Sequence, residues 1–368
     1  MLRWAKFNNC VGEWSVDCYI AAMERITLSD LLTNPDYYLF GIENDVAIFL
    51  AMDRQSYERS IFFDGRIAPA SEQAIPVALT PLMAALPATP ASLPRIGWIF
   101  HMAHTGSTLL ARALDLPGRN LVIREPMLLR SLGIEAGPTH QSGMCSAEWS
   151  ERLHLALHML DRRYAPDQVV LVKANVPVNR IIPDLLMRSP DQKAVLLHFG
   201  LADYLAAILR GPNHRKWVEH IYTELQLAEI RGAQPVSTIG EMAGALWLFQ
   251  MEIYARLLAE NEGVRSLDAN ILFDKPLESV TTAADYFGCP MDRNEAEAIV
   301  AGPLFSTYSK NPGAAFDNEA RKERLALART EISDELVAAR HWVEKHPVAQ
   351  ILPARLGQAL CGENGLLL

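Results

Sequence analysis

The sequence predicts an α/β fold with a largely parallel central sheet, preceded by a small antiparallel β-rich unit. Three observations carry this expectation. Short apolar runs recur, each followed by a helical pattern: 98–100 before 109–114, 120–123 before 128–132, 169–172 before 182–186, and 194–197 before 201–210. These runs are apolar almost throughout, as strands covered on both faces must be, and the helices supply the crossovers that parallel strands require. The first unit turns through Ala103-His104-Thr105-Gly106-Ser107-Thr108, a small and hydroxylated bend between strand and helix. The stretch before residue 94 instead shows closely spaced β-rich runs separated by short polar turns.

In chain order, residues 1–25 mix polar and aromatic side chains without a clear period. Residues 27–32 read as a short capped helix, ended by Asn34-Pro35-Asp36. Runs at 37–42, 46–52 and 60–63, punctuated by Glu43-Asn44-Asp45 and Asp64-Gly65, predict an antiparallel meander. Pro76, Pro81, Pro87, Pro90 and Pro94 mark a connecting segment. The expected organisation is an accessory unit and linker at 1–93, whose role is packing first, with substrate recognition or dimerisation as alternatives, an α/β domain at 94–346, and a peripheral tail at 347–368. Within the domain, 146–164 reads as a helix on which His154 and His158 share a face. With no third ligand nearby, they are read as surface or core rather than as a metal pair. Residues 237–260 read as one helix with Trp247 and Met251 on a shared face, and 317–345 as one long helix with an exposed charged face.

Bulk properties narrow the function. A chain of 368 residues, 50% hydrophobic, fills a large core. A net charge of −9 argues against general nucleic-acid binding, whose phosphate contacts need a basic surface, so no nucleic-acid partner is expected. Cys10, Cys18, Cys145, Cys289 and Cys361 are scattered, odd in number and lack metal-type spacing; Cys10 and Cys18 are near enough in sequence to pair, but reduced thiols are the expectation. No uninterrupted apolar stretch reaches membrane-spanning length and the first residues do not resemble a secretion signal. The expectation is therefore a soluble cytoplasmic protein with no membrane partner, and oligomer formation stays open.

The bend at 103–108 has the parts of a phosphate site. Amides at the start of a helix have no intrahelical partner, Gly106 allows close backbone approach, and Ser107 and Thr108 add hydroxyl donors. An ordinary strand-to-helix turn would use the same hydroxyls merely as caps. The nucleoside-triphosphatase form needs Gly-Lys-Ser/Thr and the dinucleotide form three glycines; Gly106 is followed by Ser107 and stands alone in the turn. Charge then recurs where the strands end, at Arg124-Glu125, Lys173 and His198. An active site at the carboxyl edge of a parallel sheet presents such groups, although a surface ion pair is the plainer reading of Arg124-Glu125.

The bend resembles the 5′-phosphosulfate loop of the P-loop sulfotransferase superfamily, bacterial members included, with His104 at the usual lysine or arginine position. Lys173-Ala174-Asn175 followed by Ile182-Pro183-Asp184-Leu185-Leu186 is similar to the family's Lys-x-His strand end and leucine-proline helix. Residues 197–207 are similar to its R-x-P-x-D-x-x-x-S segment. Asp203 is kept, while Phe199 and Ala207 stand at the arginine and serine positions that hold a 3′-phosphate. Residues 264–268 with Asp274-Lys275-Pro276, the end at 281–288, and the glycine-containing loop at 306–317 continue the likeness, which covers about residues 95–345.

The resemblance implies a P-loop-type three-layer sandwich. It also implies transfer of a sulfuryl group from 3′-phosphoadenosine 5′-phosphosulfate to a hydroxyl or amine of a small molecule or peptide, without a metal. Thr105, Gly106, Ser107 and Thr108 would grip the phosphosulfate with His104 as the loop cation, and Lys173 would steady the transferring group. Glu125 is the first candidate base, His198 the second and His104 the third, because Asn175 at the usual histidine position takes no proton. Arg180, Arg210 and Lys310 are candidates to replace the missing 3′-phosphate donors, and Ser309, Asn311 and Arg321 complete the nucleotide set. Arg124, Asn175 and Trp247 are candidate acceptor contacts. Two alternatives stand beside this: phosphoryl transfer from ATP, which would need magnesium and a carboxylate to hold it, a task for which Asp203 and Asp268 are poorly positioned in sequence, and a non-catalytic nucleotide- or protein-binding descendant.

Overall fold

A computed structural model of the chain describes residues 26–87, 95–140, 142–188, 192–230, 232–308 and 311–368. Cys10, Cys18, Ser309 and Lys310 lie outside the described residues. The first described element is a helix, Leu28–Thr33, whose Thr27 and Asp30 make a reciprocal capping box. Strands β1 (Tyr37–Glu43) and β2 (Val46–Ala51) pair antiparallel through a turn in which Asn44 and Asp45 are both left-handed, the geometry that matches strand twist in a tight hairpin. The third strand is not 60–63. It is β3 (Ala74–Ala78), which lies at the sheet edge, where Pro76 costs no ladder bond. The intervening chain forms a helix, Arg54–Arg59, capped by Asp53, followed by an irregular segment.

The central sheet holds β4 (Ile96–His101), β5 (Asn120–Arg124), β6 (Val169–Lys173), β7 (Ala194–His198) and β8 (Val264–Asp268) in the order β5-β6-β4-β7-β8, all parallel. Alternate strand residues enter two cores. Ile99, Val122, Leu171, Val195 and Leu267 pack against the helices Ser107–Ala113 and Pro276–Phe287, while Trp98, Phe100, Ile123, Val172 and Leu196 enter the larger core on the other face. These are the three layers expected of an α/β sandwich. The larger core also contains Tyr38 and Phe49 of the small sheet, so the N-terminal unit shares it rather than forming one of its own.

The topology sets the site. The chain leaves β4 toward β5 and β6 on one side, then crosses to β7 and β8 on the other, so connections diverge at the carboxyl end of β4. Register places Arg124 beside Lys173 and His198 beside Asp268 at that same edge.

Two further expectations are revised. The 317–345 helix is broken at Ile332 into Asn318–Glu331 and Ser333–Lys345, where Asp334 and Glu335 supply a fresh acidic first turn. The tail is integral: Ser266 donates to Gln358, Leu360 donates back to Ser266, and Leu201 donates to Leu367, whose side chain is buried. His158 bonds the Leu32 carbonyl through Nε2, in keeping with a structural role.

Arg124 ties the small unit to the sheet. Its buried guanidinium donates to the carbonyls of Tyr57 (2.6 Å) and Ser60 (2.7 Å) and to Asp115 (2.7 Å). It is therefore a strut and is corrected from an acceptor contact; its donors are consumed by backbone carbonyls and by Asp115. Arg124→Ala is expected to cost about 3 kcal/mol, because buried carbonyls and a carboxylate lose their partner. Urea denaturation showing a loss below about 1 kcal/mol, the level of a surface pair, would contradict the strut role.

Candidate functional site

Strand β4 ends in a bend whose backbone alternates in hand. His104 and Gly106 are left-handed, with φ of 67° and 77°, on either side of Thr105, whose hydroxyl donates to the Met102 carbonyl at 2.8 Å. Such alternation turns successive amides inward and makes a concave anion nest. The helix that follows, Ser107–Ala113, is only seven residues long, so nest and side chains carry the site more than a helix dipole does. A Cβ at residue 106 would come within 2.9 Å of Phe273, so glycine is required there by both space and φ.

Two cavities meet at this bend. The first is lined by Gly106, Ser107 and Thr108, by Phe199 and Ala207, by Arg210 and Arg321, and by the aromatic rim of Phe273, Tyr308 and Phe316. Its sheltered volume is about 100 Å³. The Thr108 hydroxyl is buried and has no hydrogen-bond partner. Arg321 stacks on Phe273 at 4.2 Å, and the carboxylates that act on it, Asp274 and Asp203, are taken by Lys322 and Arg329. Burial lowers the pKa values of Arg210 and Arg321, and Arg210 itself adds to the lowering at Arg321. Two mutually repelling guanidiniums and an orphaned hydroxyl around one cavity make a site suited to an anion with more than one charge.

The second cavity is a cleft of about 380 Å³ lined by His101, His104, Glu125, Asn175, Trp217 and, from the small unit, Phe62, Asp64 and Arg66. His104 lines both cavities, its ring edge-on to His214 with centroids 4.4 Å apart. Glu125, left-handed at φ 59°, accepts a hydrogen bond at Oε1 from Lys173 Nζ, and its own amide donates to the Lys173 carbonyl at 2.6 Å. Lys173 is fully buried and borders neither cavity; its charge reaches the cleft through Glu125. Asn175 is nine-tenths buried, and its Oδ1 has no partner.

Several predicted residues lie elsewhere. Trp247 is fully buried and donates through Nε1 to the Phe199 carbonyl at 3.0 Å, which makes it core rather than an acceptor contact. Arg180 is buried, donates to the Leu225 carbonyl and stands over the Phe249 ring at 5.7 Å, outside the lining of the bend cavity. Burial lowers its pKa to about 10. His198 is fully buried beside Asp268 and lines neither cavity, so it is not placed to take an acceptor proton. Asn311 begins β10 (Asn311–Ala315), which pairs with β9 (Thr307–Tyr308) at the first cavity's rim. Sequence reasoning did not find Phe62, Asp64 and Arg66, which belonged to a presumed strand and turn. Tyr308 and Phe316 lie in the 306–317 loop that carried part of the resemblance but were not singled out within it, and Phe273 has no signature beyond hydrophobicity.

Fold and site together define an α/β protein with a bend of alternating backbone hand between a cavity lined by two arginines and a carboxylate-bearing cleft. No family model matches the chain, and no curated protein matches it. Among solved structures it is similar to the sulfotransferase domain from the curacin biosynthetic pathway, at 14% identity over 69% of this chain and 99% of that one, with a TM-score of 0.36. It is also similar to a sulfotransferase from Alicyclobacillus acidocaldarius, at 11% identity over 69% of this chain and 95% of that one, with a TM-score of 0.35. Likenesses this distant assign no chemistry, which is read below from the residues.

Burial holds the His198 pKa below its ordinary value of 6.5, against the pull of Asp268. Below about pH 6.5 the unfolded chain therefore binds a proton there that the native state resists, so stability falls as pH falls. His198→Gln removes this term. The stability difference between wild type and variant should shrink by up to about 1.4 kcal/mol per pH unit below 6.5. Parallel stability curves between pH 7.5 and 5.5, measured by urea denaturation, would contradict a buried neutral imidazole.

Proposed function

We propose that the chain is a sulfotransferase-like transferase that moves a sulfuryl group from 3′-phosphoadenosine 5′-phosphosulfate to a hydroxyl or amine of a small molecule or peptide. The observation that carries this reading is the position of the bend: His104 faces both a cavity with two arginines and a cleft with a lysine-bound carboxylate. A donor with several anionic groups and an acceptor that must lose a proton need these two environments side by side. Bound in the first cavity, the donor would supply the sulfuryl group and a phosphate leaving group.

The chain's own residues supply the rest. The amides of 105–108 and the Thr108 hydroxyl hold an anion at the bend, and Arg210 and Arg321 hold a second one, replacing the donors lost at Phe199 and Ala207. The aromatic rim offers faces for a base. His104, at the junction, can keep a proton for the leaving phosphate oxygen, where charge develops. Glu125 accepts the acceptor's proton; Lys173 keeps it ionised and oriented. The Asn175 Oδ1 accepts a hydrogen bond from the incoming hydroxyl or amine. Compared with phosphoryl transfer from ATP, this reading is favoured because Asp203 and Asp268 are engaged by Asn270 and Arg329 and by the amides of Asn270 and Gly365, and neither lines the cavity.

Calorimetry separates the readings. Adenosine 3′,5′-bisphosphate should bind at least tenfold more tightly than adenosine 5′-phosphate or ATP, a difference of about 1.4 kcal/mol; a preference for ATP would favour phosphoryl transfer. Across a panel of hydroxyl and amine acceptors, Glu125→Gln should lower donor turnover by about 10²–10⁴-fold. Near-normal turnover in that variant would remove Glu125 as the base.

A further inference from the structure

We propose that Arg66, carried by the N-terminal unit and hydrogen-bonded through Nη2 to Asp64, is a positioning residue for Glu125, standing at ion-pair distance from one oxygen of the carboxylate while Lys173 donates to the other. The inference rests on the reading of Glu125 as the base, but the contact is measurable apart from it. Lys173 Nζ donates to Oε1, whereas Arg66 Nη2 stands 3.7 Å from Oε2. That is an ion-pair distance and too long for a hydrogen bond, so Arg66 orients Oε2 without occupying a hydrogen-bond position on it.

Arg66 is itself fixed. Its Nε donates to Asp64 at 2.9 Å, and its guanidinium stacks on the Phe62 ring at 3.7 Å. The same short segment holds the backbone of Glu125. Phe63 donates to the Arg124 carbonyl at 2.7 Å and accepts from the Met127 amide at 3.2 Å, bracketing the left-handed residue on both sides. Phe63 is anchored in turn, fully buried against Tyr38 and Tyr57. One irregular segment of the accessory unit therefore sets the base's backbone and its carboxylate, and also forms a wall of the acceptor cleft. Acceptor recognition and base alignment are joined in the same loop, which gives the unit a role beyond packing.

Other charges facing the cleft belong to the main domain. Arg130 and His220 are paired with Glu224, His104 and His214 lie ring to ring, and His101 bonds the Met102 carbonyl. Against that background Arg66 and Asp64 make opposite predictions. Removing Arg66 takes away a cation and leaves Asp64 unpaired, which raises the Glu125 pKa; removing the Asp64 charge frees Arg66 toward Glu125, which lowers it. General loosening of the loop would move both variants the same way.

The test is a ¹³C NMR titration of glutamate-labelled full chain, with the Glu125 signal assigned by its loss in Glu125→Gln. Arg66→Gln should raise the Glu125 midpoint by about half a pH unit or more, Arg66→Lys should keep it within about 0.2 of wild type, and Asp64→Asn should lower it. An unchanged midpoint in Arg66→Gln, or shifts of the same sign in Arg66→Gln and Asp64→Asn, overturns the proposal. Should Arg66→Gln fail to fold, Asp64→Asn decides alone: a fall supports the contact, and a rise or no change overturns it. If the shifts appear while Glu125→Gln still turns over normally, the contact stands and the base assignment fails.

Discussion

The site depends on a backbone that changes hand where the central strand ends. Left-handed conformation at a non-glycine residue costs of order 1 kcal/mol or more, and two such residues, His104 and Glu125, face the same cleft. Each is held by bonds from a different part of the fold. β4 is paired on both sides, and Thr105 ties the bend back to Met102; Glu125 is bracketed by Phe63. The sheet thus supplies the rigidity, and the N-terminal unit supplies the clamp.

Electrostatics follow from that geometry. Lys173 is buried in the sheet, and a buried ammonium is tolerated only with a carboxylate close by. Glu125 is that carboxylate, and it is also the group that meets the cleft. The pair couples the interior of the sheet to the cleft. At the first cavity neither Arg210 nor Arg321 forms an ion pair of that kind among the described residues, and the nearby Asp274 and Asp203 are shared with Lys322 and Arg329.

Much of the scaffold was legible in the sequence, because the central strands are apolar runs whose ends coincide with charge, and because a cap such as Thr27 carries local chemistry. The bend at 103–108 was legible for the same reason. What could not be read were long-range contacts. Arg124 and Lys173 look alike as charges ending neighbouring strands. The carbonyls of Tyr57 and Ser60 make one a strut, and the carboxylate of Glu125 makes the other part of the site. Residues 60–63 read as a strand from their β-branched and aromatic composition, yet they serve as the clamp on Glu125, a role fixed only by docking against β5. Arg180 and Trp247 follow polar and helical patterns that suit a pocket as well as a core; burial, which no local pattern encodes, sends both inward.

The most direct test of the central claim is a crystal structure with adenosine 3′,5′-bisphosphate bound. The account predicts the 5′-phosphate within hydrogen-bond distance of the amides between Thr105 and Thr108, and the 3′-phosphate against Arg210 and Arg321. A nucleotide seated away from the bend, or at the bend with both arginines turned elsewhere, would contradict it.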